Sequence, residues 1–263
     1  MIDAHIHLDW YRKEERETIL KDLKDKRIAG LIAISSDLAS CKKVLSLSQK
    51  NKLVFPALGW HPEQSLPDEK ELAELEELIR KHHHSIVAIG EVGLPYYLKK
   101  ERPTLDINPY IHILERFINL AKEYHLPIVL HAVYEDADIV CDLLEKHGHN
   151  KAHFHWFKGS GDTMKRMIKN QYRISVTPDC VYEKEIQRII DIYPLEFTMV
   201  ETDGPWQFHG PFENKRTHPV MMAESIKQIA TIKKVSLPEV ERKILENTKE
   251  FYQILLRGSS YLR

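Results

Sequence analysis

His5 and His7 lie two positions apart in the stretch Asp3-Ala4-His5-Ile6-His7. On a strand, that spacing turns both imidazoles to one face. Two imidazoles on one face, with no adjacent counter-charge, are natural ligands for a divalent ion. The competing reading is a pair of hydrogen-bonded core histidines. Related groups recur along the chain: Gly59-Trp60-His61-Pro62, Gly90-Glu91-Val92-Gly93, Val129-Leu130-His131, His153-Phe154-His155 and Val200-Glu201-Thr202-Asp203. Imidazole and carboxylate without thiolate suit Mg²⁺, Mn²⁺ or Zn²⁺. A carboxylate has two oxygens and can span two ions, whereas a histidine offers one nitrogen to one ion. Two ions about 3.5–4 Å apart can clamp both oxygens of a phosphoryl displacement and lower the pKa of a shared water. The chemistry indicated is hydrolysis.

Each of these groups ends or follows a short apolar run. The runs are Ile2–Leu8, Ile28–Ser35, Leu53–Gly59, Ile86–Glu91, Pro127–His131, Ala152–Trp156, Tyr172–Val176 and Phe197–Glu201. Gly30-Leu31-Ile32-Ala33-Ile34 reads as a strand covered on both faces. Between the runs lie amphipathic segments, such as Glu69–His83 with Leu72, Leu75, Leu78 and Ile79 on one side. Similar patterns cover Glu14–Arg27, Leu38–Lys50, Asn108–His125, Glu135–His147, Thr163–Asn170, Glu183–Ile192, Pro219–Lys234 and Leu237–Leu256. Alternating strands and helices imply parallel βαβ units. A (β/α)₈ TIM barrel takes about 250 residues, so the α/β chain reads as one barrel domain over residues 1–263. An open doubly wound sheet would want a Gly-rich turn after the first strand; here histidines stand there. In a barrel, the ends of all the strands meet at the C-terminal face, where active sites are built.

The 38 Lys and Arg nearly balance 39 Asp and Glu, for a net charge of −1. That excludes a broadly basic nucleic-acid coat but leaves room for a local phosphate site. Cys41, Cys141 and Cys180 form no disulfide framework, which points to a reducing compartment. The N-terminus has no signal-peptide pattern, and no stretch approaches the ~20 apolar residues of a membrane span. The expectation is a cytoplasmic enzyme with no membrane contact and no obligate protein partner.

In this order and spacing, the motifs resemble those of the TatD family of metal-dependent deoxyribonucleases, among the amidohydrolase-like barrels. The D-x-H-x-H opening is matched by Asp3, His5 and His7, G-x-H-P by Gly59 to Pro62, and G-E-[IV]-G-L by Gly90 to Leu94. P-x-x-x-H is matched by Pro127 to His131, H-x-F-x-G by His155, Phe157 and Gly159, E-T-D-x-P by Glu201 to Pro205, and N-T-x-x-x-F by Asn247, Thr248 and Phe251. The resemblance runs from Met1 to about Phe251. It implies two divalent ions: His5, His7 and Asp203 hold one, Glu91 bridges, and His131 and His155 complete the other. It implies DNA or a small phosphoester as substrate; His61 is read either as a contact to the substrate phosphate, as the family motif implies, or as a loop-bracing hydrogen bond. Asp203 would both ligate and take the proton of the attacking water. Glu201 is read either as a base or as a buried carboxylate that orients a histidine.

His153 has the same strand face as His155 and reads as packing or ligand-orienting. His82-His83-His84 reads as a solvated helix cap, and His147 and His149 read likewise; His209 and His218 flank the last strand's loop. Departures from the family pattern bear on the substrate. Pro95 follows the G-E-V-G-L stretch where Asp is usual. Ala132-Val133 follow His131 where Ser-Arg is usual, and Trp156 and Lys158 follow His155. Lys158 is a replacement cation for phosphate or a solvated loop lysine. Trp60, Trp156, Trp206, Tyr96 and Tyr97 offer stacking faces. Lys99-Lys100-Glu101-Arg102 and Asn214-Lys215-Arg216 are basic clusters in loops of the active face. Three functions follow: a TatD-like nuclease, a small-molecule amidohydrolase or phosphoesterase on the same site, and a degenerate barrel kept for binding. The intact ligand set argues against the third.

Overall fold

The computed structural model describes residues 1–255. Its strands are β1 (Ile2–Ile6), β2 (Gly30–Ile34), β3 (Val54–Leu58), β4 (Ala88–Gly93), β5 (Ile128–His131), β6 (Ala152–Phe154), β7 (Arg173–Val176) and β8 (Thr198–Val200). All pair in parallel in the order β1 to β8. Helices alternate with them: α1 (Lys13–Asp25), α2 (Leu38–Lys50), α3 (Glu69–His82), α4 (Tyr96–Glu101), α5 (Asn108–Glu123), α6 (Glu135–His147), α7 (Gly161–Lys169), α8 (Lys184–Ile192), α9 (Met222–Lys233) and α10 (Leu237–Phe251). The expected eight-stranded barrel is the fold. The end of the expected last helix at Leu256, and the final stretch 256–263 of the expected domain, lie outside the described residues.

The barrel nearly closes, and the residues at its seam are those of the opening motif. Asp203 N–H donates to the His5 carbonyl at 2.9 Å and His7 N–H to the Gly204 carbonyl at 2.8 Å. Asp3 Oδ1 accepts from the Thr202 N–H at 3.0 Å, and Oδ2 accepts from the Thr202 hydroxyl at 2.5 Å. Asp3 thus joins β1 to the segment after β8. Burial raises its pKa to about 7, despite the hydrogen bonds from Thr202 and His5 that favour the carboxylate.

Two apolar layers build the rest. Strand faces turned outward pack on helices through Leu31, Ala33, Ile89, Leu130 and Ile174. Faces turned inward carry Ile2, Ala4, Ile32, Ile34, Ala57, Ala88, Val129 and Met199, closed below by Tyr252 and Ile254 after α10. Near-continuous apolar strands are the consequence of burial on both faces.

Two readings require correction. Lys99, Lys100 and Glu101 end the short helix α4, with Arg102 as its cap, and do not form an irregular loop. Tyr96 to Glu101 hold one helical turn and a half, too short to show a periodic apolar stripe. His149 is buried and not a solvated cap. Gly148 ends α6 in the left-handed conformation at φ 63°, and His149 N–H reaches back to the Leu144 carbonyl at 2.9 Å. This C-cap folds the following side chain onto the helix.

Candidate metal centre

Glu91 is the centre of the site, and the backbone around it explains how a fully buried carboxylate gets there. Gly90 and Gly93 have φ of 152° and 157°, a region open to glycine and closed to other residues. A Cβ on Gly93 would run into the carbonyl of His131, and one on Gly90 would sit 2.6 Å from Val129 Cβ. These glycines let β4 press against β5. The β4–β5 register shifts between Ile89 and Val92, and such an irregularity re-aims a side chain.

The two Glu91 oxygens face different partners. Oε2 lies 3.2 Å from His5 Nε2 and 3.3 Å from His7 Nε2. Asp203 Oδ1 lies 3.3 Å from His5 Nε2 and 3.6 Å from His7 Nε2, and the two nitrogens are 3.3 Å apart. Oε1 lies 2.7 Å from His155 Nε2 and 2.9 Å from His131 Nδ1, and those nitrogens are 3.4 Å apart. Four trios, His5-His7-Asp203, His5-His155-Glu201, His7-His61-Glu91 and Glu91-His131-His155, gather ligand atoms within 4.8 Å.

This donor set fits divalent cations. The edge of a tetrahedron with bonds of 2.0–2.1 Å is about 3.3–3.4 Å, which matches the spacing around Glu91 Oε2. Glu91 Oε2 and Asp203 Oδ1 are buried and have no hydrogen-bond partner among the described residues. Orphaned buried oxygens beside imidazole nitrogens want a positive charge between them.

The electrostatics agree. Burial would raise the Glu91 pKa, but His155, His61, His5 and His131 hold it well below the usual range. Burial and His155 push His5 down, yet Glu91 and Asp203 more than offset them and raise it to about 9. Asp203 is likewise lowered, its burial outweighed by His5, His155 and His7. The carboxylates are charged and demand cations.

His61 is at the rim. Its Nδ1 accepts the Glu63 N–H at 3.1 Å, so in the neutral ring Nε2 carries the proton. That Nε2 faces Glu91 Oε1 at 3.5 Å. Burial lowers the His61 pKa to about 4, so the ring is neutral near pH 7 and presents an N–H.

Glu201 is fully buried, and both of its oxygens accept hydrogen bonds. Oε1 accepts the Trp156 N–H at 2.7 Å, and Oε2 accepts the Ser175 hydroxyl at 2.5 Å. His155 Nδ1 is 3.6 Å from Oε1. Behind Ser175 stands His153, its Nε2 2.5 Å from that hydroxyl and its Nδ1 2.6 Å from the Tyr252 hydroxyl. His153 therefore braces the barrel floor, apart from the candidate ligands.

The Lys158 ammonium lies over the Trp156 ring, 4.9 Å from its centre. Of the aromatic candidates, Trp206 and Tyr97 are exposed, while Trp60 is buried and Trp156 gives its indole N–H to Asp179 at 2.8 Å. Arg216 is paired with Glu15 at 2.6 Å, which leaves less of the second basic cluster for a substrate. His218 turns to Asp22, at 3.7 Å, away from the rim.

Two residues at the site escaped the sequence reading. Trp10 stacks on His7 with ring centres 4.0 Å apart and planes at 10°, and it is half exposed. Glu63 accepts from His131 Nε2 at 3.1 Å. A carboxylate two residues past His61 and an aromatic three past His7 were available signals, since both positions fall on the same rim.

A parallel barrel with clustered imidazoles and carboxylates at its C-terminal face defines a metal-dependent hydrolase of the TIM-barrel type. The chain belongs to the TatD related DNase family, whose profile matches residues 2–253. It is 41% identical to an uncharacterized metal-dependent hydrolase of Haemophilus influenzae, over 97% of this chain and all of that one. It is 27% identical to the human deoxyribonuclease TATDN3, over 96% of this chain and 94% of that protein. The crystal structure of the TatD homologue YJJV from Escherichia coli superposes with a TM-score of 0.87 at 22% identity, covering 97% of this chain and 98% of that one. Among the described residues no helix is long and apolar enough to cross a membrane.

Proposed function

We propose that the chain hydrolyses phosphodiester bonds in DNA with two divalent ions at this centre. The observation that carries the reading is Glu91, whose two oxygens face separate ligand groups. His5, His7, Asp203 and Glu91 Oε2 would hold one ion; Glu91 Oε1, His131 and His155 would hold the other. Divalent ions bound there supply Lewis acidity that lowers the pKa of water and neutralises charge developing on oxygen. Mg²⁺, Mn²⁺ and Zn²⁺ all suit these donors.

The protein groups divide the remaining work. Asp203 is the most exposed of the ligand carboxylates, so its second oxygen is the one that reaches a substrate water and takes its proton. His61 points an N–H across the site and donates to a phosphate oxygen. Glu201 already accepts from Trp156 and Ser175, so it orients His155 and does not act as the base. Trp10, Tyr97 and Trp206 are exposed aromatics in the segments after β1, β4 and β8, where unstacked bases can rest. The human relative's name supports nucleic acid as the substrate.

A second reading, a small-molecule phosphoesterase or amidohydrolase, is favoured by Ala132 and Val133. Both are buried where the family pattern carries Ser and Arg, so that position offers no cation to a polymer backbone. A substrate panel separates the two. Purified protein with Mg²⁺ or Mn²⁺ should cleave single-stranded or nicked DNA. Cleavage of small esters or amides with DNA left intact would reject the nuclease reading.

A further inference from the structure

We propose that Glu63 is the positioning residue of the second half of the metal centre, holding His131 in the tautomer that turns Nδ1 towards Glu91 and His155. The inference rests on the dinuclear reading above and adds a residue to it.

His131 turns its two ring nitrogens to different carboxylates. Its Nδ1 lies 2.9 Å from Glu91 Oε1 and 3.4 Å from His155 Nε2. For Nδ1 to offer a lone pair to a cation, the neutral ring must carry its proton on Nε2. Nε2 lies on the far edge of the ring, and there it meets Glu63 Oε1 at 3.1 Å. A carboxylate accepts and does not donate, so with a cation between Nδ1 and Glu91 Oε1 the ring proton goes to Nε2, where Glu63 accepts the hydrogen bond and fixes the ring plane.

Glu63 is itself held in place. Oε1 also accepts the Tyr97 N–H at 2.8 Å, and Oε2 accepts the Leu98 N–H at 2.7 Å. Its own N–H is committed to His61 Nδ1 at 3.1 Å. The turn after β3 thus sets two imidazoles in opposite senses. His61 is kept as an N–H donor at the site, and His131 is kept as a lone-pair donor. On the other side Glu201 Oε1 faces His155 Nδ1 at a longer 3.6 Å. His131 and His155 therefore each have a carboxylate on the side away from Glu91 Oε1, supplied by different loops.

The test measures metal binding and ring tautomer, and neither needs a substrate. In wild-type protein loaded with Zn²⁺, two ions should bind, and ¹⁵N spectra should give His131 a protonated Nε2 and a metal-bound Nδ1. Glu63→Ala should weaken the second ion by about 10- to 100-fold, leave the first within about twofold and lose the Nε2–H signature. Glu63→Gln restores an acceptor without the charge and should recover part of the second affinity. It also serves if the alanine variant fails to fold. Two ions bound as tightly in Glu63→Ala as in wild type, with His131 unchanged, would overturn the role of Glu63 alone. A wild-type protein that holds one ion would overturn the dinuclear reading and this role with it.

Discussion

Glu201 backs His155: its Oε1 lies 3.6 Å from Nδ1 of a ring whose Nε2 lies 2.7 Å from Glu91. Carboxylates therefore face the imidazole at both edges, the nearer one at Nε2. Glu201→Ala removes the acceptor for the Trp156 N–H and the Ser175 hydroxyl as well. Stranding buried donors costs about 1–3 kcal/mol each, so a loss on the order of 2–4 kcal/mol of stability is expected. If His155 is a ligand, losing the carboxylate behind it should weaken metal binding by about 10- to 100-fold. Denaturant melts and a Zn²⁺ titration check both. A variant with native stability and native affinity would mean that this contact positions nothing.

Glu91→Gln keeps the shape of the side chain proposed to bridge two ions and removes its charge. Four imidazoles hold that carboxyl well below its ordinary range, so the charge is what the surrounding donors lack when it is gone. Metal analysis of the purified variant should find fewer ions per chain than in wild type. Two tightly retained ions would show that Glu91 is no bridge.

Chelation should abolish hydrolysis and also lower the melting temperature, because a ligand of the folded state stabilises it by mass action. Wild type stripped with EDTA and then resupplied with Mn²⁺ should regain both properties. Full activity in excess chelator after stripping would remove metal from the mechanism.

Much of this was legible in the sequence, for physical reasons. Parallel strands buried on both faces leave continuous apolar runs, so the strands and their order could be read directly. The D-x-H-x-H spacing and the G-E-V-G stretch around Glu91 carry their own backbone constraints, namely strand alternation and glycines flanking the carboxylate. What stayed hidden depended on contacts between distant loops. Glu63 meets His131 across 68 positions, and nothing in the Gly59-to-Pro62 motif announces that partner. Trp10 gains its meaning only by lying flat on His7. His149 looked like a polar cap residue because burial after a helix end depends on how the chain folds back.

Lys158 sits over Trp156, a contact worth roughly 0.5–1 kcal/mol at an exposed site, and pairs with no carboxylate among the described residues. If its ammonium reaches substrate phosphate, Lys158→Ala should raise KM severalfold for phosphoesters and leave metal content alone. Steady-state kinetics beside metal analysis reads both. An unchanged KM assigns Lys158 to loop packing on Trp156.

Asp136 gives a pH-dependent test of stability at a carboxylate outside the candidate ligand set, though within reach of the fields of His131 and Glu63. It is fully buried in the first turn of α6, and neither carboxylate oxygen has a hydrogen-bond partner among the described residues. Burial raises its pKa from 3.8 to about 6, with Lys99 opposing and Glu135 reinforcing the shift. An acid whose folded pKa lies above its unfolded value stabilises the fold while protonated. That stability is present below about 4 and is lost as pH rises through about 6. At pH 7 the folded state therefore carries a penalty on the order of 1–3 kcal/mol. Asp136→Asn removes the charge and keeps the shape, while Glu135 and Asp138 remain to complement the helix N-terminus. The variant should unfold at higher denaturant than wild type at pH 7–8, and the difference should shrink to nothing near pH 4. A difference that is independent of pH, or of opposite sign at pH 7, would mean that the Asp136 carboxylate is compensated where it lies.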